Sequence, residues 1–142
     1  MIDRYRARVS GPLLDRIDLH VEVPRVAVTT LAEDTPGGES SATIRARVIA
    51  ARERQQARLA RLGVAVNAHV PGREVRRLCR IAARGRRLLE AASERLGLSA
   101  RAYTRILRVA RTIADLAGED EITTSHLAEA IQYRSLDRRA RA

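Results

Sequence analysis

The apolar positions of this chain follow two rhythms. Over residues 18–23 they alternate, Leu19, Val21 and Val23 standing between Asp18, His20 and Glu22, and Pro24 ends the run. That two-residue period predicts a half-buried strand. From residue 40 the spacing lengthens to three and four, the period of amphipathic helices. Ser40 or Ser41 can cap a first long helix that runs to Leu62 and stops at Gly63; Ile44, Val48, Ala51, Leu59 and Leu62 form its apolar stripe, and Arg45, Arg47, Arg52, Arg54, Arg58 and Arg61 its other face. After a loop through Asn67, His69 and Pro71-Gly72, a second helix is predicted over residues 73–83, burying Val75, Leu78, Cys79 and Ala82. Gly85 is expected to break it, and a third helix carries Leu88, Leu89 and Ala92 to Leu96, before Gly97. Ser99 caps a fourth, which ends at Ala117 before Gly118; Ala102, Ile106, Val109, Ala110, Ile113 and Leu116 give it a wide apolar face, so it should be central. Thr123 caps a fifth over residues 124–133, with Leu127, Ala130 and Ile131 inward.

The fold class that follows is mainly α: a five-helix bundle with short loops, preceded by a single strand that has no partner of its own. Residues 32–41 (Ala-Glu-Asp-Thr-Pro-Gly-Gly-Glu-Ser-Ser) are a linker by composition. The expected division is residues 1–38, holding the strand and linker and packing poorly alone; residues 39–138, the helical domain; and residues 139–142, a frayed tail. Residues 2–9 could form the end of a preceding helix, and no internal repeat is visible.

Composition sharpens this picture. Aromatic residues make up 2% of the chain and neither Phe nor Trp occurs, so the core has to be built from Leu, Ile, Val and Ala, which favours helices. The net charge is +10 and all 27 basic residues are arginine. Such a surface suits a polyanionic partner such as nucleic acid, or an acidic protein face; the plainer alternative is a solvated arginine-rich surface reflecting GC-rich coding. The missing lysine excludes a Walker A P-loop, which needs one to reach the β- and γ-phosphates. The Gly-rich run Thr35-Pro36-Gly37-Gly38-Glu39-Ser40 lacks the GK[ST] ending as well. Cys79 is the one cysteine, so there is no disulfide framework and no CxxC motif. His20, His69 and His126 form no HxxxH or HExxH pair, and no metal site is expected. No apolar run approaches ~18 residues and the N-terminus carries no signal core, which predicts a cytoplasmic protein without membrane contact.

The strand has an informative preface. In Ser10-Gly11-Pro12-Leu13-Leu14-Asp15-Arg16-Ile17-Asp18-Leu19-His20-Val21-Glu22-Val23-Pro24, one arginine sits on a Pro-started turn just before the alternating run. An arginine so placed can be held out rigidly, and its planar, permanently charged fork matches phosphate oxygens. The stretch resembles the LLDR–strand element of AAA+ ATPases of the magnesium-chelatase type, and within them the competence-associated ComM/YifB family. The resemblance implies that Arg16 is an arginine finger reaching, in trans, the ATP bound by the next subunit. The plainer alternative for Arg16 is a salt bridge to Asp15 or Asp18. A second stretch, residues 98–118 (Leu-Ser-Ala-Arg-Ala-Tyr-Thr-Arg-Ile-Leu-Arg-Val-Ala-Arg-Thr-Ile-Ala-Asp-Leu-Ala-Gly), is similar to the sensor 2 helix of these ATPases. Arg101, in the first helical turn, matches the nucleotide-binding sensor 2 arginine. Arg105, one turn on, is the backup, and the plainer alternative for both is an ordinary capped helix with solvated arginines. Arg111 should pair with its i+4 neighbour Asp115. Glu39-Ser40-Ser41 and residues 132–138 also resemble family stretches, and read as a helix cap and a helix end.

Taken whole, the resemblance implies the C-terminal part of a longer ATPase, beginning after the P-loop and the Walker B acid. ATP and Mg2+ would be cofactors of the parent protein, with none bound to this chain, which should be inactive alone. The upstream AAA+ core, a homo-oligomeric ring (a hexamer) and DNA are the implied partners, and branch migration or helicase action in natural transformation the implied process. Three alternatives stay open: a basic helical nucleic-acid-binding module, a protein-interaction lid meeting an acidic neighbour, and a metal-chelatase motor subunit.

Overall fold

The computed structural model describes residue 13 and residues 16–26 and 38–134. Helix α1 spans Ser41–Leu59 and starts where the Ser40 hydroxyl accepts the Thr43 N–H at 3.1 Å. It tightens into a 3-10 turn, Ala60–Leu62, and stops at Gly63, whose φ of 65° is left-handed. Only the second half of α1 packs. Ala51, Gln55 and Leu59 are buried, whereas Ile44 and Val48 remain 43% and 40% exposed. The expected stripe is thus corrected: the first turns run past the bundle, and their apolar side chains find nothing to bury against among the described residues.

A second 3-10 turn, Asn67–His69, leads to α2, Gly72–Leu78, which ends well short of the predicted residue 83. The backbone leaves helical geometry at Cys79 (φ −106°, ψ 59°) because Ile81 joins Ile122 in an isolated parallel bridge. Ala82, expected in the core, is exposed and becomes the N-cap of α3, Ala83–Leu96. Gly85 therefore does not break a helix; it lies inside the first turn of α3. A Cβ there would stand 2.7 Å from Cδ1 of Leu127, which is fully buried and has little room to yield. The glycine is a point of close helix approach, not a stop signal.

Helix α4, Ala100–Ala117, is central as predicted. The Ser99 hydroxyl caps it by accepting the Ala102 N–H at 3.1 Å, and Gly118 (φ 76°) closes it. It buries Ala102, Ile106, Leu107, Ala110 and Ala114 and packs against α1, α2 and the last helix, α5, Thr124–Gln132. Leu116, expected inward, is 37% exposed near the helix end. Helix α5 turns Leu127, Ala130 and Ile131 into the core and packs on α3 as well as α4. The core is aliphatic, as the composition required. Among the described residues, no helix is long and apolar enough to cross a membrane.

The predicted strand is corrected. Residues 18–23 form no strand, and there is none among the described residues. The expected apolar face is not covered either: Leu19, Val21 and Val23 are 48%, 68% and 83% exposed, Glu22 is exposed as well, and His20 is the buried residue of the run. A lone strand has no ladder to join and no sheet face to cover its apolar side. The segment instead follows the hydrogen bonds that the bundle offers. The expected helix end at residues 2–9, most of the linker and the tail lie outside the described residues.

Candidate functional site

The segment that begins at Arg16 is fastened to the helical bundle at three points. The Arg16 N–H donates to the Leu13 carbonyl at 3.0 Å, closing a turn, and the Arg16 side chain is exposed. One residue on, the Ile17 carbonyl accepts a hydrogen bond from the guanidinium of Arg134. The Asp18 carboxylate pairs with Arg105 of α4. The His20 N–H donates to the Tyr133 carbonyl at 2.8 Å, just past the end of α5. Arg134 is 0% exposed, the largest fully buried side chain of the bundle. Leu127, Ala130, Ile131 and Arg134 stand at i, i+3, i+4 and i+7, and Arg134 follows the apolar stripe in the turn two residues past the end of α5.

Arg101 lies in the first turn of α4, exposed, with its carbonyl accepting the Thr104 hydroxyl at 2.8 Å. The first N–H groups of a helix have no intrahelical acceptor, so a guanidinium beside them makes a phosphate-compatible corner. Arg105, one turn further, is engaged by Asp18 and only 20% of its side chain is exposed. The structure thus brings the Arg16 segment up to the same helix that carries Arg101. Asp18, one of the partners considered for Arg16, is paired with Arg105.

Deeper in the bundle a polar cluster ties α1 to α4. Asp115, fully buried, accepts a bidentate pair from Arg58 (2.8 and 2.6 Å), Nε of Arg111 at 3.1 Å and Nδ2 of Asn67 at 2.8 Å. The expected Arg111–Asp115 pair is therefore present. The other guanidinium nitrogens of Arg111 donate to the Asp120 and Glu119 carbonyls, each at 2.5 Å. Burial works against the charge on Arg111 and lowers its pKa, while Asp115 acts in the opposite direction. Asn67 completes the cluster by donating to Thr112 at 3.0 Å.

Cys79 borders this region. Burial pushes its thiol up to about 11 from an ordinary 9.0, with Arg111, Arg58 and Arg108 acting the other way. The raised folded value fixes the sign. Below pH 9 the thiol is neutral folded and unfolded; between 9 and 11 only the unfolded chain ionises, so stability falls as pH rises. We expect a loss of about 2 kcal/mol across that window, absent in Cys79→Ser, when urea unfolding is compared between pH 8 and pH 11.

No three His, Cys, Asp or Glu side chains gather as a metal site among the described residues. His69 is exposed, and His126 accepts the Thr123 N–H through Nδ1 at 3.2 Å at the start of α5.

Comparison with known proteins places this sequence in a family. Residues 38–134 match the family described as magnesium chelatase, subunit ChlI C-terminal, and residues 1–31 match magnesium chelatase, subunit ChlI. The chain belongs to the magnesium chelatase ChlI family. Within it the chain is ComM/YifB-like. It is 47% identical over 135 residues to the protein YifB of Salmonella typhimurium and, over the same length, 47% identical to YifB of Escherichia coli. It is 45% identical over 137 residues to the competence protein ComM of Haemophilus influenzae. These alignments cover 95–96% of this chain and 26% of each relative, so the chain spans about a quarter of the length of the curated relatives it matches. The helical bundle is the C-terminal domain of this magnesium-chelatase-like architecture.

Sequence reasoning missed the part that Arg134 plays, reading it as a helix end, and missed Asn67 and Arg58 as partners of Asp115. For Arg134 the signal was its spacing from Leu127, which continues the apolar spacing of α5 past the helix end. For Asn67 no local pattern exists, because its partners lie 9, 12, 45 and 48 residues away in sequence, beyond the reach of one helical turn.

Proposed function

We propose that this chain is the lid segment of a magnesium-chelatase-like AAA+ ATPase, in which Arg16 is the arginine finger and Arg101 the sensor 2 residue. The observation that supports it best is the fastening of Ile17, Asp18 and His20 to α4 and α5, which leaves Arg16 exposed at the head of a held segment. A finger needs that combination of a free guanidinium and a fixed backbone. Arg16 would act in trans, its fork stabilising the charge that develops on the γ-phosphate bound by the neighbouring subunit. Arg101 would meet the nucleotide from the start of α4. Arginine and helical N–H groups suit the phosphates of ATP; no carboxylate group suited to Mg2+ gathers among the described residues, so the upstream core would have to hold the ion together with the P-loop.

The ring would remodel DNA. Arg73, Arg76, Arg77, Arg80, Arg84, Arg86 and Arg87 are all exposed on α2, the start of α3 and the link between them, with Glu74 the one acid in residues 73–87. This observation also favours the second reading, a basic module that binds nucleic acid without a motor role. Kinship with the competence protein ComM makes DNA the polyanion to test first. The experiment is ATP turnover by the protein that includes its upstream core, with and without DNA, for wild type and Arg101→Ala. Turnover should fall by at least ~10-fold in the variant. Turnover unchanged by the substitution would remove Arg101 from the nucleotide site.

A further inference from the structure

We infer that Arg134 and Arg105 are positioning residues for Arg16: they lock the segment that carries it to the lid, so that movement of the lid is transmitted to the finger. The inference rests on the reading of Arg16 as a finger. It starts from the cost of burying a guanidinium, which is tolerated only when its donors are used. Arg134 is wholly buried, and one of its donors is given to the backbone carbonyl of Ile17, the residue after Arg16. A bond to a carbonyl is indifferent to the side chain at position 17. It fixes the course of the main chain, and with it the root of the Arg16 side chain.

Two further contacts make the attachment rigid. Arg105 grips the Asp18 carboxylate, and Tyr133 offers its carbonyl to the His20 N–H at 2.8 Å, with His20 itself buried at 7% exposure. Residues 17, 18 and 20 are thus held by α4 and by the end of α5. These two helices pack on each other within the lid. A segment pinned to both cannot shift independently of either, so a rotation of the lid carries Arg16 with it. The contacts also give Arg105 a task different from touching nucleotide: it belongs to the mount of the finger. Near-attack geometry is demanding enough that a displacement of ~1 Å costs on the order of 10²-fold in rate, and loss of one mounting contact should be felt at that scale.

The test uses Asp18→Asn, Arg105→Gln and the double variant. The Asp18 side chain is 45% exposed and that of Arg105 20%, and both substitutions leave a polar side chain in place, so folding should survive, and circular dichroism checks this. In the 142-residue chain, amide exchange at His20 should speed up at least ~10-fold in each single variant. In the ring-forming protein, kcat for ATP should fall by about 10- to 100-fold with KM unchanged, and the double variant should be no worse than either single one. Unchanged exchange at His20 overturns the lock. Faster exchange with unchanged kcat overturns the positioning role, as do additive losses in the double variant. Arg16→Ala measured alongside separates the two readings: if that variant keeps full turnover, the finger reading fails, and the exchange experiment still reports on the lock.

Discussion

Replacing Arg16 by alanine is expected to lower ATP turnover by ~10³-fold or more in the protein that carries the upstream core, with nucleotide binding retained. The size of the effect follows from where the charge develops. The γ-phosphoryl group in transfer spreads negative charge over its oxygens, and a guanidinium that meets it in a water-poor interface is worth far more than the same charge in solvent. Ground-state binding of ATP would be supplied by the P-loop and the lid, so the dissociation constant should change little. Arg16→Lys is expected to recover only part of the loss, because an ammonium cannot reproduce the planar fork. The comparison of turnover with equilibrium binding, made on the same preparations, separates a finger from a residue that merely helps nucleotide to bind.

The second large effect is on stability. Asp115→Ala should cost about 3–5 kcal/mol, read as a fall in the urea midpoint of the chain. Asp115 is fully buried and is the common acceptor of Arg58, Arg111 and Asn67; removing it leaves Arg111, with 4% of its side chain exposed, facing a cavity with its charge uncompensated. A domain of this size has only ~5–15 kcal/mol in hand, so the variant should be near the edge of folding at ordinary temperature. Arg54 and Asp120 provide the contrast. They lie 2.7 Å apart, but 38% and 93% of their side chains are exposed, and Arg54→Ala should cost less than ~1 kcal/mol. Equal effects at the two sites would mean that the buried cluster contributes no more than a surface ion pair.

What could be read from the sequence was whatever local chemistry decides. Ser40, Ser99, Gly63, Gly97 and Gly118 mark helix ends because caps and left-handed turns are properties of a few neighbouring residues, and each stands where the pattern put it. The Arg111–Asp115 pair was legible for the same reason, being one helical turn apart. The failures are tertiary. Nothing near residue 79 announces that Ile81 will pair with Ile122, and Gly85 looks like a breaker until Leu127 is seen above it. The alternation at residues 18–23 is a true strand signal in the wrong company: the period says that one face wants covering, but not whether a sheet is there to cover it. Of the candidate site, Arg16, Arg101 and Arg105 could be singled out from the sequence, and the contacts that hold the segment after Arg16 could not. Arg134 shows why. Its i+7 relation to Leu127 predicts burial, yet only the folded chain reveals that the carbonyl of Ile17, 117 residues earlier, receives its hydrogen bond.

The central claim, that Arg16 acts across a subunit boundary, is tested most directly by mixing two inactive variants of the ring-forming protein. One carries Arg16→Ala with an intact P-loop, and the other a disabled P-loop with an intact Arg16. In mixed rings some interfaces pair the good P-loop of one subunit with the good finger of the other, and the account predicts that ATP turnover reappears and peaks near equal proportions. If the mixture stays as inactive as its parts at every ratio while rings still form, Arg16 does not act in trans, and the account of this chain as the finger-bearing segment of a ring motor is contradicted.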